Sequence, residues 1–332
     1  MCGNDRASYD LARSLREVIA DRCGYYPEIL CENTEIGRRE ISLTVDMGVS
    51  SLAKIEHDGE DVRIISDGIY GLSVASEKLY GMLFEGTTNG KAKLDISYSM
   101  SYTYASPSIE ILNVVCDFPL DGNGMFMVQE LAKLISESDG DVITFGASFS
   151  SDLLHPLKNN LDDRYYFIEN VLSDGSVVPL LVDTSKISVV KETLSQANGL
   201  VRCELSLVQK YSGQSFAFVD LFAEEGATDC AGTVKRAFEN TDDARVVIFA
   251  SSDMHDAFDV LENGISVEYN SLINVGDMRS RCGVFGSTDL LKCSEVNMNT
   301  DLLEDTCFVN ISMEKRYCDA FLKLIGSKDI NN

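Results

Sequence analysis

Two apolar strands separated by an amphipathic helix restrict this chain to a small group of folds. The first strand reads IEILNVVCDF (109–118), an almost unbroken apolar run that is typical of a strand covered on both faces. The segment 125–140 then repeats apolar residues at helical spacing. The second strand reads DVITFGAS (141–148) and ends in small neutral residues. This succession predicts an α/β architecture in which helices cover a sheet.

The chain after this pair continues to alternate strands and helices. The segment GLVRCELSLVQKYSGQSFAFVDLFAEEG (199–226) predicts a hairpin whose turn is YSGQ. The other predicted elements are helices at 151–161 and 229–241, strands at 164–172, 244–253, 281–296 and 305–315, and paired strands at 177–194.

The first hundred or so residues follow a different pattern and predict a smaller α+β domain. Its predicted elements are helices at 8–22 and 74–86 and strands at 40–47, 61–67 and 92–104. The segment ASPS (105–108) is a plausible linker. We therefore divide the chain into an accessory domain at 1–105 and a larger domain at 106–332.

Charge and composition exclude several classes of protein. The formal net charge is −25, with 28 basic and 53 acidic residues, which disfavours a nucleic-acid partner because such binding depends on Lys and Arg. The apolar runs are too short to span a bilayer, and the N-terminus has no apolar leader core. We expect a cytoplasmic protein, or a secreted one if a leader has been removed. The ten cysteines form no C-x-x-C pair, which fits a reducing compartment.

The order of elements over 109–315 resembles the endonuclease/exonuclease/phosphatase superfamily, also called the DNase-like fold. IEILNVVCDF is similar to the first strand of that family, and LAKLISESDGDVITFGAS (131–148) is similar to its first helix and second strand. FAFVDLF (216–222), VVIFASSDM (246–254) and LEDTCFVNISME (303–314) resemble later strands. The resemblance implies a four-layered sandwich of two mixed or mostly antiparallel sheets, with helices on the outside.

Catalysis in that family requires a carboxylate and an Asn that hold Mg²⁺ or Mn²⁺, an Asp–His pair that activates water, and a second His with an Asn that stabilise the phosphoryl oxygens. In this chain the position of the first-strand Asn falls at Val115, or at Cys116 after a one-residue shift. The metal-binding Glu falls at Ala147, and the Asn-x-His pair falls at Asp220 and Phe222.

The remaining family positions lie between 251 and 306, and of these only Asp305 keeps the residue of the family. They are Ser251, Ser252, Asp253 and Met254 for Gly-Asp-x-Asn, Cys282 for the Asp of the "IDY" strand, and Asp305 and Thr306 for the terminal Asp-His. A one-residue shift does not restore the site, because 142–151 contains no carboxylate and 293–332 contains no His. The resemblance therefore predicts a pseudoenzyme with no catalytic residues and no cofactor, which serves as a binding or assembly scaffold.

An alternative remains open. A divergent phosphoesterase that uses Mg²⁺ or Mn²⁺ could have rebuilt its site around Asp220, Asp253, His255 and Asp305. The segment DMHD (253–256) could hold a cation through Asp253 and His255, because alternate residues of an extended segment lie on one side. A solvated loop is the simpler interpretation.

The N-terminal segment resembles the small α/β domain that precedes many glycoside hydrolase barrels. The resemblance rests on ARSLREVIADRCGYYPEIL (12–30), GEDVRIISDG (59–68) and SEKLYGMLFEG (76–86). Bacterial proteins combine such a domain with a DNase-like domain, and in them the small domain is non-catalytic. The partner of this chain is therefore expected to be a protein or a carbohydrate.

Overall fold

The chain divides into two compact units. A computed structural model describes residues 6–30, 40–49, 51–58, 61–84, 99–105, 107–116, 122–197, 199–224, 232, 245–251, 267–275, 278–286, 291–303 and 306–326. One unit comprises Met1–Ser106 and Lys315–Asn332, and the other comprises Pro107–Glu314. Over the ranges given above, every helix is too short or too polar to cross a bilayer.

The first unit packs helices on a small sheet. Its helices are α1 (Arg6–Cys23) and α2 (Ile69–Phe84), and its strands are β1 (Ile41–Val45), β2 (Leu52–His57), β3 (Val62–Ser66) and β4 (Met100–Thr103). The strand order is β1-β3-β2-β4, with β1 parallel to β3 and the other two pairs antiparallel. Helix α2 contacts β2 and β3, and α1 packs on α2, so that the apolar stripes of both helices are buried.

The C-terminus of the chain returns to this first unit. Helix α5 (Asp319–Ile325) contacts α1 and α2, and Phe321 is fully buried. The backbone N–H of Cys318 donates a 2.9 Å hydrogen bond to Ser73 Oγ of α2. The predicted division assigned the whole of 106–332 to the larger domain, and the structure differs at Lys315–Asn332. A helix of seven residues cannot bury its own apolar face, so α5 depends on the surface of α2.

The second unit contains two six-stranded sheets. Sheet I has the order β15-β16-β5-β6-β8-β7, and sheet II has the order β13-β14-β12-β11-β10-β9. The strands are β5 (Ser108–Cys116), β6 (Val142–Phe145), β7 (Tyr165–Val171), β8 (Val177–Asp183), β9 (Ile187–Ala197), β10 (Leu200–Gln209), β11 (Ser215–Ala223), β12 (Arg245–Ser251), β13 (Val267–Val275), β14 (Met278–Gly286), β15 (Leu291–Leu303) and β16 (Thr306–Lys315).

The two sheets face each other across one apolar core. Side chains from both sheets form it, including Ile111 and Val309 of sheet I and Leu205 and Phe218 of sheet II. The opposite face of sheet I is covered by α3 (Gly122–Glu137) and α4 (Ser151–Asn160). We call the apolar cluster that includes this face the outer cluster; its members are Leu131, Phe145, Phe149 and Val177, among others, together with Val201 of sheet II. Strand β5 is thus buried on both faces, which explains its continuous apolar sequence.

This architecture confirms the predicted fold class of mixed sheets flanked by helices. The hairpin of β10 and β11 forms in the predicted place, and its turn contains Gly213 with φ of 70°. The helix predicted at 229–241 lies outside the described residues. Strand β13 and helix α5 were not predicted from the sequence. The apolar pattern of β13 is interrupted by polar residues, and α5 is less than two turns long.

Candidate functional site

Sheet I brings three of the predicted positions to one edge. Strands β5 and β6 are parallel and end together, and β16 runs antiparallel to β5 and begins there. Thr306 is paired with Cys116, one residue after Val115, and Ala147 follows the end of β6. The sandwich topology therefore places Val115, Ala147 and Thr306 at neighbouring strand ends, where an α/β sheet commonly builds its site.

Sheet II contributes the end of β11. This strand is parallel to β12, so Phe222 and Ser251 lie near the same edge of the sheet. Phe222 packs against the outer cluster, and so does Ala147. Two positions from different sheets therefore border one apolar cluster, which places both strand ends at the same end of the sandwich.

Ala147 lies in a strand end that is closed by aromatic side chains. The N–H of Gly146 donates a 2.7 Å hydrogen bond to the carbonyl of Val114, which continues the sheet past β6. Phe149 then exchanges backbone hydrogen bonds of 2.7 and 2.9 Å with Val177. The rings of Phe145 and Phe149 pack edge to face, with centroids 5.3 Å apart. Both rings are buried, so the surroundings of Ala147 are apolar.

Val115 and Phe222 are also surrounded by apolar groups. Val115 has no solvent exposure and belongs to the core between the sheets. Phe222 is half-buried and lies directly opposite Val201, which is a member of the outer cluster. The resemblance predicts a polar group at each of these positions, and in the structure both side chains contribute apolar packing.

A polar link ties the two sheets together beyond Phe222. One carboxylate oxygen of Glu224 accepts a 2.6 Å hydrogen bond from the N–H of Ser173, in the loop that joins β7 and β8. The same oxygen accepts a 3.1 Å bond from the side-chain amide of Gln196 in β9. Glu224 thus joins sheet I to sheet II at this edge, a contact that sequence analysis did not identify.

Asp220 is the described member of the alternative, catalytic set. It lies two residues before Phe222 and directly opposite Cys203 of β10, and it is 5 % exposed. Burial raises the pKa of its carboxyl to about 7. Asp253, His255 and Asp305 lie outside the described residues, as do Ser252 and Met254, so the proposed cation pair at Asp253 and His255 stays a prediction.

The nearest carboxylates along the chain do not replace the one missing at Ala147. Asp141 precedes β6 at the opposite end of the strand, where it accepts a 3.0 Å hydrogen bond from the N–H of Glu110 and pairs with Lys186 at 3.1 Å. Asp152 is exposed in the first turn of α4. Among the described residues, His, Cys, Asp and Glu side chains nowhere gather in a group of three that could hold a metal ion.

Sequence analysis also missed a buried polar pair between the sheets. The hydroxyl of Thr144 donates a 2.9 Å hydrogen bond to the Oδ1 of Asn113. The two residues occupy adjacent parallel strands and are 1 % and 0 % exposed. The only signal in the sequence is a polar residue inside each of two short apolar runs, Asn113 in ILNVVC and Thr144 in VITF.

Comparison with solved structures identifies the fold of the second unit. An endonuclease/exonuclease/phosphatase from Bacteroides vulgatus aligns with a TM-score of 0.50 and 14% identity, over 63% of this chain and 99% of that one. The second unit has the DNase-like fold. A family protein from Bacteroides thetaiotaomicron aligns with a TM-score of 0.49 and 13% identity, over 64% and 99% of the two chains. Neither a protein-family model nor a curated protein matches the sequence of this chain.

The divalent cation used by catalytic proteins of this fold does not fit the described positions. The side chains of Val115 and Ala147 supply no oxygen or nitrogen ligand, and each packs with an apolar cluster. A hard cation such as Mg²⁺ requires several oxygen ligands near one another. Apolar packing at these strand ends therefore opposes metal binding.

Proposed function

We propose that the second unit is a non-catalytic DNase-like domain that serves as a binding or assembly scaffold. One observation supports this proposal: Ala147, which follows β6 of sheet I, and Phe222, which lies in β11 of sheet II, pack against the same apolar cluster. Apolar packing at former polar positions stabilises the sandwich, whereas a buried charge without a partner costs stability. A domain with apolar residues at these positions would retain the stable sandwich and would lack the groups needed for hydrolysis.

A hydrolysis assay tests this proposal directly. The full-length protein is incubated with bis(p-nitrophenyl) phosphate and with p-nitrophenyl phosphate in the presence of Mg²⁺ or Mn²⁺. We expect release of p-nitrophenol no faster than in samples without protein. Metal-dependent turnover that Asp253→Ala or Asp305→Ala abolishes would overturn the scaffold function.

A second experiment tests whether the second unit binds a partner. The full-length protein is applied to protein and glycan arrays, and saturable ligands are then tested against a chain that carries Phe126→Ala and Met125→Ala. These two apolar side chains are 63 % and 41 % exposed at the start of α3, so each is accessible to a partner of the second unit. The absence of any saturable ligand for the second unit would count against a scaffold.

One observation favours the alternative, a divergent phosphoesterase. Asp220 occupies the Asn position of the family's Asn-x-His pair, and a carboxyl with a pKa of about 7 can exchange a proton near neutral pH. If Asp220 served this role, Asp220→Asn would remove turnover while the protein stayed folded. The assay above therefore separates the two functions with one further variant.

A further inference from the structure

The first unit contains a pocket of about 640 Å³ that is independent of the sandwich. It lies between the end of α1, the last turns of α2 and strand β4. The rings of Tyr80, Phe84 and Tyr102 line it, together with the polar groups of Arg22 and Glu77. An aromatic lining with a few polar groups, at a volume between about 300 and 1,000 Å³, is typical of small-molecule sites.

Gly81 provides a second, separate observation at this pocket. It lies in α2 and lines the pocket. In a helix interior, glycine is about 1 kcal/mol less favourable than alanine, so a helical glycine usually has a packing reason. Gly71 of the same helix has one, because a Cβ there would lie 2.5 Å from the ring of Tyr104. A Cβ at Gly81 would meet no atom within 4 Å.

The space above Gly81 is therefore not required by packing within the unit. An alanine Cβ would fit there without a clash and would favour the helix. Gly81 is exposed, so glycine at this position leaves this side of the pocket open to a ligand at a cost in helix stability.

The lining determines the class of ligand. Tyr80 is half-buried and its ring packs on that of Phe84 with centroids 4.9 Å apart, which fixes an aromatic platform at the pocket wall. Glu77 and Lys78 form an ion pair at 3.2 Å, so donors and acceptors of hydrogen bonds stand side by side. The two opposite charges of this pair cancel, so the pair does not favour a charged ligand over a neutral one. It suits a ligand that offers hydroxyl donors and acceptors together with an apolar C–H face.

We propose that this pocket binds a carbohydrate of one to two sugar rings. One ring face would stack on Tyr80 or Tyr102, and its hydroxyls would exchange hydrogen bonds with Glu77, Lys78 and Arg22. The pocket lies wholly in the first unit, so this binding site does not depend on the scaffold function of the second.

The experiment uses the full-length protein on an array of neutral, N-acetylated and uronic-acid mono- to tetrasaccharides, followed by calorimetry with the sugars that bind. Tyr80→Ala removes one of the two candidate stacking rings, and Gly81→Leu places a side chain beside it at the pocket wall. Each is expected to weaken binding at least about tenfold, the loss that follows from removing one central contact. Tyr9→Ala is the matched control, because Tyr9 of α1 is 41 % exposed and does not line the pocket.

Thermal unfolding separates loss of binding from loss of structure. Gly81→Leu is expected to unfold at the same or a higher temperature than the natural protein while it no longer binds sugar. The proposal is overturned if the natural protein binds no sugar on the array, or if it binds only peptides. It is also overturned if Tyr80→Ala and Gly81→Leu bind sugar as well as Tyr9→Ala does.

Discussion

Asp220 lies directly opposite Cys203 in the antiparallel pairing of β11 with β10, and Cys203 belongs to the core between the sheets. Residues paired in this way project from the same face, so the carboxyl and the thiol enter the same apolar layer. Burial raises the pKa of Asp220 to about 7. Burial, followed by the nearby Asp220 carboxylate, also raises the pKa of the Cys203 thiol, so this cysteine is a packing group and not a nucleophile.

Replacing Asp220 by Asn is expected to stabilise the protein above pH 7. In the unfolded chain the pKa of an Asp is about 3.9, and in the folded protein that of Asp220 is about 7. The folded state therefore binds the proton more tightly. The contribution of this carboxyl to the unfolding free energy is greatest below about pH 4. It is lost as the pH rises from 4 to 7, by at most about 1.4 kcal/mol per pH unit. Asp220→Asn removes this dependence on pH, because the amide does not titrate.

The measurement is chemical denaturation of the natural protein and the variant at pH 5 and pH 8. The unfolding free energy of the variant minus that of the natural protein should be larger at pH 8 than at pH 5. Asp163→Asn is the matched control, because Asp163 is exposed. An identical pH dependence in the natural protein and Asp220→Asn would show that the carboxyl is not buried in an apolar layer.

Phe222→His is expected to destabilise the protein and to produce no hydrolysis. The resemblance predicts the His of the Asn-x-His pair at this position, but here the Phe ring is half-buried against the outer cluster and opposite Val201. Removal of buried apolar surface and introduction of a polar ring should together cost about 1–3 kcal/mol. Denaturant unfolding measures the cost, and the phosphodiester assay with Mn²⁺ measures activity.

The control for this change is Phe126→His. Phe126 is 63 % exposed on α3, so the same substitution there should change the unfolding free energy by less than about 0.5 kcal/mol. Equal effects of the two substitutions would mean that Phe222 is not part of the cluster.

Phe321→Ala is expected to destabilise the first unit although it lies near the C-terminus. Phe321 is fully buried, and its ring packs on Tyr317 with centroids 5.7 Å apart. A Phe→Ala change in a core costs about 3–5 kcal/mol. Amide hydrogen exchange of α2 should accelerate in this variant, since α2 supports α5. Lys323→Ala, an exposed change in the same helix, should leave that exchange unaltered.

The sequence predicted best those elements whose signal is local. Strand β5 is mostly apolar because it places apolar side chains in the clusters on both faces of sheet I. The hairpin of β10 and β11 combines alternation with a turn that contains Gly213. Helix α5 was not predicted, since its stability comes from α2, which precedes it by more than two hundred residues along the chain. A tertiary contact of this kind leaves no trace in local periodicity.

For the candidate site, too, the sequence predicted local features and missed tertiary contacts. The resemblance indicated that Ala147 and Phe222 belong at strand ends, but their common packing against the outer cluster depends on how two sheets meet. The link through Glu224 and the pair of Asn113 with Thr144 each join residues that are distant in the chain. The pocket at Gly81 likewise combines three elements of the first unit, and the sequence shows only a glycine in a helix.

Ala147→Glu is expected to leave the protein without metal-dependent hydrolysis. The substitution returns one carboxylate to the strand end, but Val115 and Phe222 still supply no ligand and no proton-transfer group. The new charge would also border the packed rings of Phe145 and Phe149, so stability should fall by about 1–3 kcal/mol. Ser148→Glu, at the neighbouring exposed position, is the matched control and should cost little.

Release of p-nitrophenol from a phosphodiester with Mn²⁺ measures the hydrolysis of Ala147→Glu, and unfolding in denaturant measures its stability. Turnover in Ala147→Glu that chelation removes would mean that the rest of a catalytic site is still present, and would contradict the scaffold function.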